Sequence, residues 1–166
     1  KAQKLAQAFW PGPLTIVMPK SEEVPKEVSG GLDTVAVRYP AHPVAESLIL
    51  AAGVPLAAPS ANLSGSPSPT EATHVFNDLN GKIPAIIDGG RSEVGLESTV
   101  ITVATKAPKL LRPGGITLEE MEKIIGKIEV DQGVLNQLEK NAVVASPGMK
   151  YKHYAPKTKV VLVECS

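Results

Sequence analysis

Apolar residues recur at helical spacing in four segments of the chain, and each segment is bounded by residues that commonly start or stop helices. Leu5 and Phe9 stand four residues apart in the first segment, and Thr117 opens the last one with the capping-box sequence Thr-Leu-Glu-Glu. The pattern therefore predicts four helices. They cover residues 1–9, 43–52, 71–79 and 117–125.

Short runs of apolar and β-branched residues between these helices predict six strands. They cover residues 14–18, 34–38, 54–58, 85–88, 98–103 and 109–111. Helices and strands alternate for the most part, which is typical of an α/β fold, and the last two strands are close enough to form a hairpin. We therefore expect a twisted, mixed parallel and antiparallel sheet flanked by helices.

A polar loop follows the predicted strand at residues 54–58, and it is the most informative stretch of the sequence. Its side chains are short and polar, and they are separated by proline and glycine. They are Ser60, Asn62, Ser64, Ser66, Ser68 and Thr70. Such a loop can offer many hydroxyl and amide groups to one ligand, so we expect the functional site near it.

Charged and polar residues also stand where other strands begin or end. Arg38 and Arg112 each close a predicted strand, and Ser98 opens one. Strand ends at one rim of a sheet can meet in a single cleft, and guanidinium groups match carboxylate and phosphate oxygens in pairs. The two arginines therefore favour an anionic ligand, although a single arginine at a strand end is commonly solvated or ion-paired.

The sequence Lys150-Tyr-Lys-His-Tyr-Ala-Pro156 near the end of the chain allows two interpretations. It is either a solvated linker or a strap in which Tyr151, His153 and Tyr154 lie over a bound nucleotide.

Composition excludes several classes of protein. Lysine plus arginine equals aspartate plus glutamate at 17 each, whereas a protein that coats nucleic acid needs a basic excess. The single cysteine fits a reducing cytosol and excludes an internal disulfide framework. No apolar run approaches the roughly 20 residues of a membrane span, and no P-loop or cluster at metal-ligand spacing is present. We therefore expect a cytoplasmic protein with no membrane association and no bound metal.

Several of these segments, in this order along the chain, resemble the YrdC-like family of threonylcarbamoyl-AMP synthases. They are residues Trp10–Thr15, Thr34–Pro43, Ala57–Gly65, Pro67–Thr70, Ile87–Gly90, Gly95–Val100 and Leu111–Gly114. The tail at residues 146–156 resembles the interdomain linker of the two-domain members. The resemblance implies a YrdC-like sheet with an open concave cleft.

The resemblance also implies a reaction. L-threonine, bicarbonate or CO2, and ATP would give threonylcarbamoyl-AMP and pyrophosphate, with Mg²⁺ arriving on the ATP. A downstream transferase complex would move the threonylcarbamoyl group to tRNA, and direct tRNA binding is possible but not required. The chemistry would rest on positioning and charge neutralisation, with no catalytic side-chain nucleophile.

Site residues follow from the matching positions in the family. L-threonine would contact Arg38, Ala58 and Ser98, with Arg38 on its carboxylate. ATP would contact Thr34, Ser60, Asn62, Ser68, Arg112, Tyr151, His153 and Tyr154.

The chain departs from the family because the N-terminal threonine-rich and Lys/Arg-rich motifs are not in it. We expect residues 1–128 to be the C-terminal portion of a YrdC-like domain, 129–157 an interdomain linker, and 158–166 the first strand of a second domain. We also expect this piece alone to be weakly active or inactive.

Two other functions stay open at this point. One is an RNA-binding module that uses the Lys/Tyr/His tail, against which the zero net charge weighs. The other is a carbamoyl-transfer domain of a larger maturation enzyme.

Overall fold

A computed structural model describes residues 1–135 of the chain. The described residues divide into two compact units, one of residues 1–58 and 94–135 and one of residues 59–93. The helices are α1 (Ala2–Phe9), α2 (Lys26–Ser29), α3 (Pro43–Ala52), α4 (Ala72–Leu79), α5 (Leu118–Ile125) and α6 (Gln132–Leu135). The strands are β1 (Leu14–Pro19), β2 (Thr34–Val37), β3 (Thr99–Thr102), β4 (Lys109–Arg112) and β5 (Glu129–Val130).

All five described strands form one mixed sheet in the order β2-β1-β3-β4-β5. β1 is antiparallel to β2 and parallel to β3, β3 and β4 form the expected antiparallel hairpin, and β4 and β5 are parallel. The predicted α/β class and mixed sheet are therefore confirmed. β5 lies within the range predicted to be a linker, and its two residues are too few to give a period in the sequence.

One face of this sheet packs against α1 and α5. Their buried residues, Leu5 and Met121, form a single cluster with side chains of three strands. The strand residues are Leu14, Ile16, Ile101 and Leu110. Because side chains alternate between the two faces of a strand, residues between these core positions point to the other face. That second face holds a smaller apolar cluster of Val17, Val100 and Leu111, and it carries the candidate site.

Two of the six predicted strands are wrong in the described structure. Residues 54–58 and 85–88 have no strand conformation, and neither segment pairs with a strand within residues 1–135. A strand keeps its conformation through ladder hydrogen bonds to a neighbour, so an apolar run alone is insufficient. None of their side chains is buried and most are exposed, at 58% for Val54 and 65% for Ile87.

Helix α3 matches its prediction in length but buries none of its residues. His42 caps its start, where the side-chain Nδ1 accepts a hydrogen bond from the amide of Val44 at 3.3 Å. Gly53 ends it in the left-handed conformation with φ of 65°, which glycine adopts without strain. His42 is therefore a helix-start residue, as its position before Pro43 suggests, and α3 presents apolar side chains such as Leu50 to solvent.

The predicted capping box at α5 is present, and it makes the stability of the fold depend on pH. Thr117 Oγ1 accepts a hydrogen bond from the Glu120 amide at 3.2 Å, and Glu120 Oε2 accepts one from the Thr117 amide at 2.8 Å. Hydrogen bonds from the backbone and side chain of Thr117 lower the pKa of Glu120 from its ordinary 4.5. A carboxyl group whose pKa is lower in the folded state than in the unfolded state stabilises the fold at pH values above its unfolded-state pKa. This stabilisation is lost as the pH falls through the folded-state pKa.

We therefore expect the advantage of the wild-type protein over Glu120→Gln to be present at neutral pH and to fade below pH 4.5. Urea unfolding midpoints of both proteins at about pH 7 and about pH 3 measure it. A difference that stays constant across this range would contradict the assignment.

Candidate functional site

The strand register brings residues from four strands into one row at the same end of the sheet. Arg38 directly follows Val37, the last residue of β2. Val37 pairs with Ile16 of β1, so Arg38 lies opposite Thr15. Thr15 pairs with Val100 of β3, and Val100 pairs with Arg112 of β4. Paired residues share a face, so Arg38 and Thr15 project from the face opposite α1 and α5. Arg112 projects from the same face because a register shift between Val100 and Ile101 interrupts the regular alternation of β4.

Ser98 joins this row through hydrogen bonds to Arg112 and Thr15. Arg112 donates to the Ser98 carbonyl from Nε at 3.1 Å and from Nη2 at 2.7 Å, and Nη2 also donates to Ser98 Oγ at 3.1 Å. Ser98 Oγ lies 2.7 Å from Thr15 Oγ1. Ser98 is buried, with 6% of its surface exposed. The guanidinium of Arg112 is therefore held by the backbone of the neighbouring strand and has a defined position.

Arg38 and Arg112 are close enough to influence each other electrostatically. Partial burial of the Arg38 guanidinium lowers its pKa from the ordinary value, and the positive charge of Arg112 lowers it further. The Arg38 residue as a whole is nonetheless exposed, so solvent and ligands reach it. Two like charges held side by side raise the free energy of the ligand-free site, and a bound anion relieves that repulsion.

The loops beside the row are joined by buried contacts that the sequence did not indicate. Thr99 is fully buried, and its Oγ1 donates to the Ile116 carbonyl at 2.6 Å and accepts from the Ile116 amide at 2.9 Å. A Cβ atom at Gly114 would lie 2.3 Å from the Glu97 carbonyl oxygen and 2.4 Å from the Thr99 amide nitrogen. The turn after β4 therefore lies directly against the start of β3.

Thr34 lies on the same face as Arg38 but at the other end of β2, where it pairs with Pro19. The two are four positions apart in the sequence, a distance of roughly 13 Å along a strand. Thr34 is therefore outside the row, and a ligand that contacts both residues must extend along β2.

Within the second unit, Asn62 holds the polar loop together. Its Nδ2 donates to the carbonyls of Leu63 at 2.8 Å and Ser66 at 3.0 Å, and the Leu63 amide donates to Asp78 Oδ2 at 3.0 Å. The two carbonyl partners require the amide nitrogen on that side, since carbonyls only accept. Oδ1 of Asn62 is buried and has no hydrogen-bond partner among the described residues, which leaves it as an acceptor for a ligand.

The remaining predicted site residues differ in what the structure says of them. Ser60 is exposed and Ser68 is half-buried within the second unit, and Ala58 is exposed at the end of a segment of the first unit. Tyr151, His153 and Tyr154 lie outside the described residues. The structure therefore brings together Arg38, Ser98 and Arg112, and it adds Thr15, to which sequence reasoning gave no role.

Residues 1–135 contain neither a metal-binding cluster nor a membrane-spanning helix. No group of three or more His, Cys, Asp and Glu side chains in this range is arranged to hold a metal ion. None of the helices in the same range has both the length and the apolar character needed to cross a membrane.

Two family models match the chain. The Sua5_yciO_yrdC model, described as "Telomere recombination", matches residues 1–114. The Sua5_C model, described as "Threonylcarbamoyl-AMP synthase, C-terminal domain", matches residues 116–166.

Curated relatives named threonylcarbamoyl-AMP synthase align along almost the whole chain. The Pyrococcus abyssi protein is 56% identical over 99% of this chain, which spans 48% of that protein. The Bacillus subtilis protein is 53% identical over 100% of this chain, which spans 47% of that protein. The chain thus spans about half the length of these relatives.

Solved structures agree in fold. The crystal structure of P. abyssi Sua5 complexed with L-threonine superposes with a TM-score of 0.89 at 56% identity, and the match covers 95% of this chain and 46% of that one. The structure of E. coli YciO superposes with a TM-score of 0.64 at 25% identity, over 71% of this chain and 57% of that one. Together with the family model that matches residues 1–114, these similarities show that the chain belongs to the Sua5/YciO/YrdC family.

Proposed function

We propose that this protein takes part in the synthesis of threonylcarbamoyl-AMP from L-threonine, bicarbonate or CO2, and ATP, with release of pyrophosphate. The observation that carries the proposal is the row formed by Arg38, Ser98 and Arg112, because it joins two cations and a hydroxyl at one end of the sheet. The names of the curated relatives and the L-threonine in the P. abyssi structure are consistent with this reaction.

L-threonine would be held in the first unit. The Arg38 guanidinium would bind its carboxylate, since a guanidinium donates two parallel hydrogen bonds to a carboxylate. Ser98 and the backbone of Ala58 would complete the pocket. The exposure of Arg38 supports this role, because a ligand can reach the guanidinium directly.

The proposed ATP contacts include Arg112 and Asn62. Arg112 would neutralise charge on its phosphates, and the unpaired Oδ1 of Asn62 would accept a hydrogen bond from a donor group of the nucleotide. The other proposed contacts are Thr34, Ser60, Ser68, Tyr151, His153 and Tyr154. Mg²⁺ would be bound by the ATP phosphates, because Mg²⁺ in nucleotide sites is usually coordinated by oxygen atoms of the substrate and water.

The reaction needs positioned substrates more than a reactive side chain. The neutral amine of L-threonine would first take up CO2 to form a carbamate, with a new N–C bond and the release of one proton from the nitrogen to solvent. A carbamate oxygen would then attack the α-phosphate of ATP, forming a P–O bond as the bond to pyrophosphate breaks. The guanidiniums of Arg38 and Arg112 would fix the reactants and offset their negative charge as they approach each other.

The surrounding assignments are part of the same proposal. The product would pass in the cytoplasm to a transferase complex that modifies tRNA. Residues 1–128 would be the C-terminal portion of the catalytic domain, 129–157 a linker, and 158–166 the start of a second domain.

Replacing Arg112 with alanine tests the ATP half of the proposal. The change removes the cation proposed to contact the phosphates. It also removes two hydrogen bonds to the Ser98 carbonyl and one to Ser98 Oγ. We expect the apparent affinity for ATP in the intact protein to fall by about tenfold to a hundredfold. The measurement is pyrophosphate release that depends on both L-threonine and bicarbonate.

Lys109→Ala is the matched control, because it removes a cation from the same strand. Lys109 lies at the opposite end of β4 in a half-exposed ion pair with Glu129 at 3.7 Å. We expect its kinetics to stay within about twofold of the wild type, since such surface pairs contribute little. Equal losses in the two variants would show that the effect is general electrostatics, and the role given to Arg112 would fail.

A further inference from the structure

The hydroxyl of Thr15 has a defined partner but no part in the binding scheme above. Thr15 lies in β1 at the centre of the row, half-buried, with its Oγ1 2.7 Å from Ser98 Oγ. Among the described residues, Ser98 is the side-chain partner that the structure gives this hydroxyl. A half-buried hydroxyl on a strand needs a hydrogen-bond partner, and for Thr15 that partner is the buried Ser98 of the candidate site.

The direction of the hydrogen bond between the two hydroxyls follows from their neighbours. Ser98 Oγ has one proton and two lone pairs, and one lone pair accepts from Arg112 Nη2 at 3.1 Å because a guanidinium can only donate. If Ser98 donated its proton to Thr15, no donor would remain on Ser98 for a ligand. If Thr15 donates to Ser98, the second lone pair is filled and the Ser98 proton is free.

An anionic ligand selects the second arrangement. Carboxylate and phosphate oxygens only accept hydrogen bonds, so a Ser98 hydroxyl that faces such a group must donate. Two donors converging on Ser98 Oγ also polarise its O–H bond, because hydrogen bonds in a chain strengthen one another. Thr15 thereby sets which way the Ser98 proton points.

We infer that Thr15 is a positioning residue that donates a hydrogen bond to Ser98 Oγ and so directs the Ser98 hydroxyl proton toward the bound L-threonine. This inference rests on the proposed function, because it takes L-threonine as the ligand. Thr15 acts through Ser98 and does not itself contact the substrate.

The test is a double-mutant cycle on L-threonine binding in the intact protein, measured by calorimetry. Thr15→Val keeps the branched shape that suits a strand and removes only the hydroxyl. We expect the Kd for L-threonine to rise by about three- to tenfold in Thr15→Val. In the Ser98→Ala background the same change has no further effect, because the hydroxyl that Thr15 orients is absent.

Two variants separate positioning from general effects on the sheet. Thr15→Ser keeps a hydroxyl at the same position, and we expect it to restore the Kd to within about twofold of the wild type. Thr102→Val removes a hydroxyl from β3 on the same face of the sheet as Thr15. Thr102 Oγ1 accepts a hydrogen bond from the Ala104 amide at 3.2 Å. We expect this variant to lower the melting temperature and leave L-threonine affinity unchanged.

The outcomes distinguish this inference from the proposed function. If the wild-type protein binds no L-threonine, the proposed function fails, and the inference fails with it. If the wild type binds but Thr15→Val binds equally well, the positioning role alone is refuted. It is also refuted if the losses in Thr15→Val and Ser98→Ala multiply in the double variant, because independent effects would then explain both.

Discussion

Replacing Arg38 with alanine is expected to weaken L-threonine binding by about a hundredfold or more. L-threonine is small, and its carboxylate is the group that a guanidinium recognises best, so few other contacts can compensate. Arg38 also sits beside Arg112 in a site where burial and like charge already lower its pKa. In the proposed site this charge binds the carboxylate, so its removal would eliminate the main attraction. Calorimetric titration of L-threonine into wild-type and variant protein measures the loss.

Arg91→Ala is the matched control for the loss of one arginine. Arg91 is 79% exposed in its side chain and pairs with Glu71 at 3.7 Å within the second unit. We expect it to bind L-threonine like the wild type. Arg38→Lys keeps the charge without the planar guanidinium, and its affinity for L-threonine should lie between those of the wild type and Arg38→Ala. Unchanged affinity in Arg38→Ala would refute the assignment of the carboxylate to this side chain.

Gly114→Ala is expected to lower the free energy of unfolding by about 3 kcal/mol. Its Cβ would lie 2.3 Å from the Glu97 carbonyl oxygen, 2.4 Å from the Thr99 amide nitrogen and 2.6 Å from the Ser98 carbonyl carbon. All three are backbone atoms, so no side-chain rotation relieves the overlap. The turn after β4 must move away from β3, and Arg112 would move with it. Urea unfolding measures the stability change, and pyrophosphate release measures the displacement of the site.

The neighbouring Gly115→Ala variant controls for the loss of a glycine in the same turn. Its Cβ would meet the side chains of Pro13 and Val94 at 3.2 Å, contacts that small shifts can relieve. We expect a loss below about 1 kcal/mol. If Gly114→Ala were as stable as Gly115→Ala, the close approach of the two loops would not constrain the site as described.

Local patterns predicted the parts of the fold that depend on neighbouring residues. The capping box at Thr117 and the glycine that ends α3 act within one or two turns of helix, so their signals are complete in the sequence. The strand predictions for residues 54–58 and 85–88 are wrong for the opposite reason. Apolar runs satisfy a strand's side-chain preference, but the hydrogen bonds that make a strand come from elsewhere in the chain.

The spatial arrangement of the candidate residues was predictable to a similar extent, whereas their roles stay predictions. Arg38, Ser98 and Arg112 each stand at a strand boundary, and boundaries at one rim of a sheet are close in space, so their convergence could be inferred. Thr15 could not be found this way, because it is one of several threonines on strands and its role depends on a contact 83 positions away. The burial of Thr99 against Ile116 likewise becomes visible only when the loops are folded together.

Arg38 and Arg112 also determine the solution conditions under which affinities of this protein can be compared. A pair of mutually repelling guanidiniums would attract small oxyanions, including the phosphate or sulfate of an ordinary buffer. Such ions would occupy the site in competition with the substrate, so an apparent dissociation constant has meaning only together with the identity and concentration of the buffer salt.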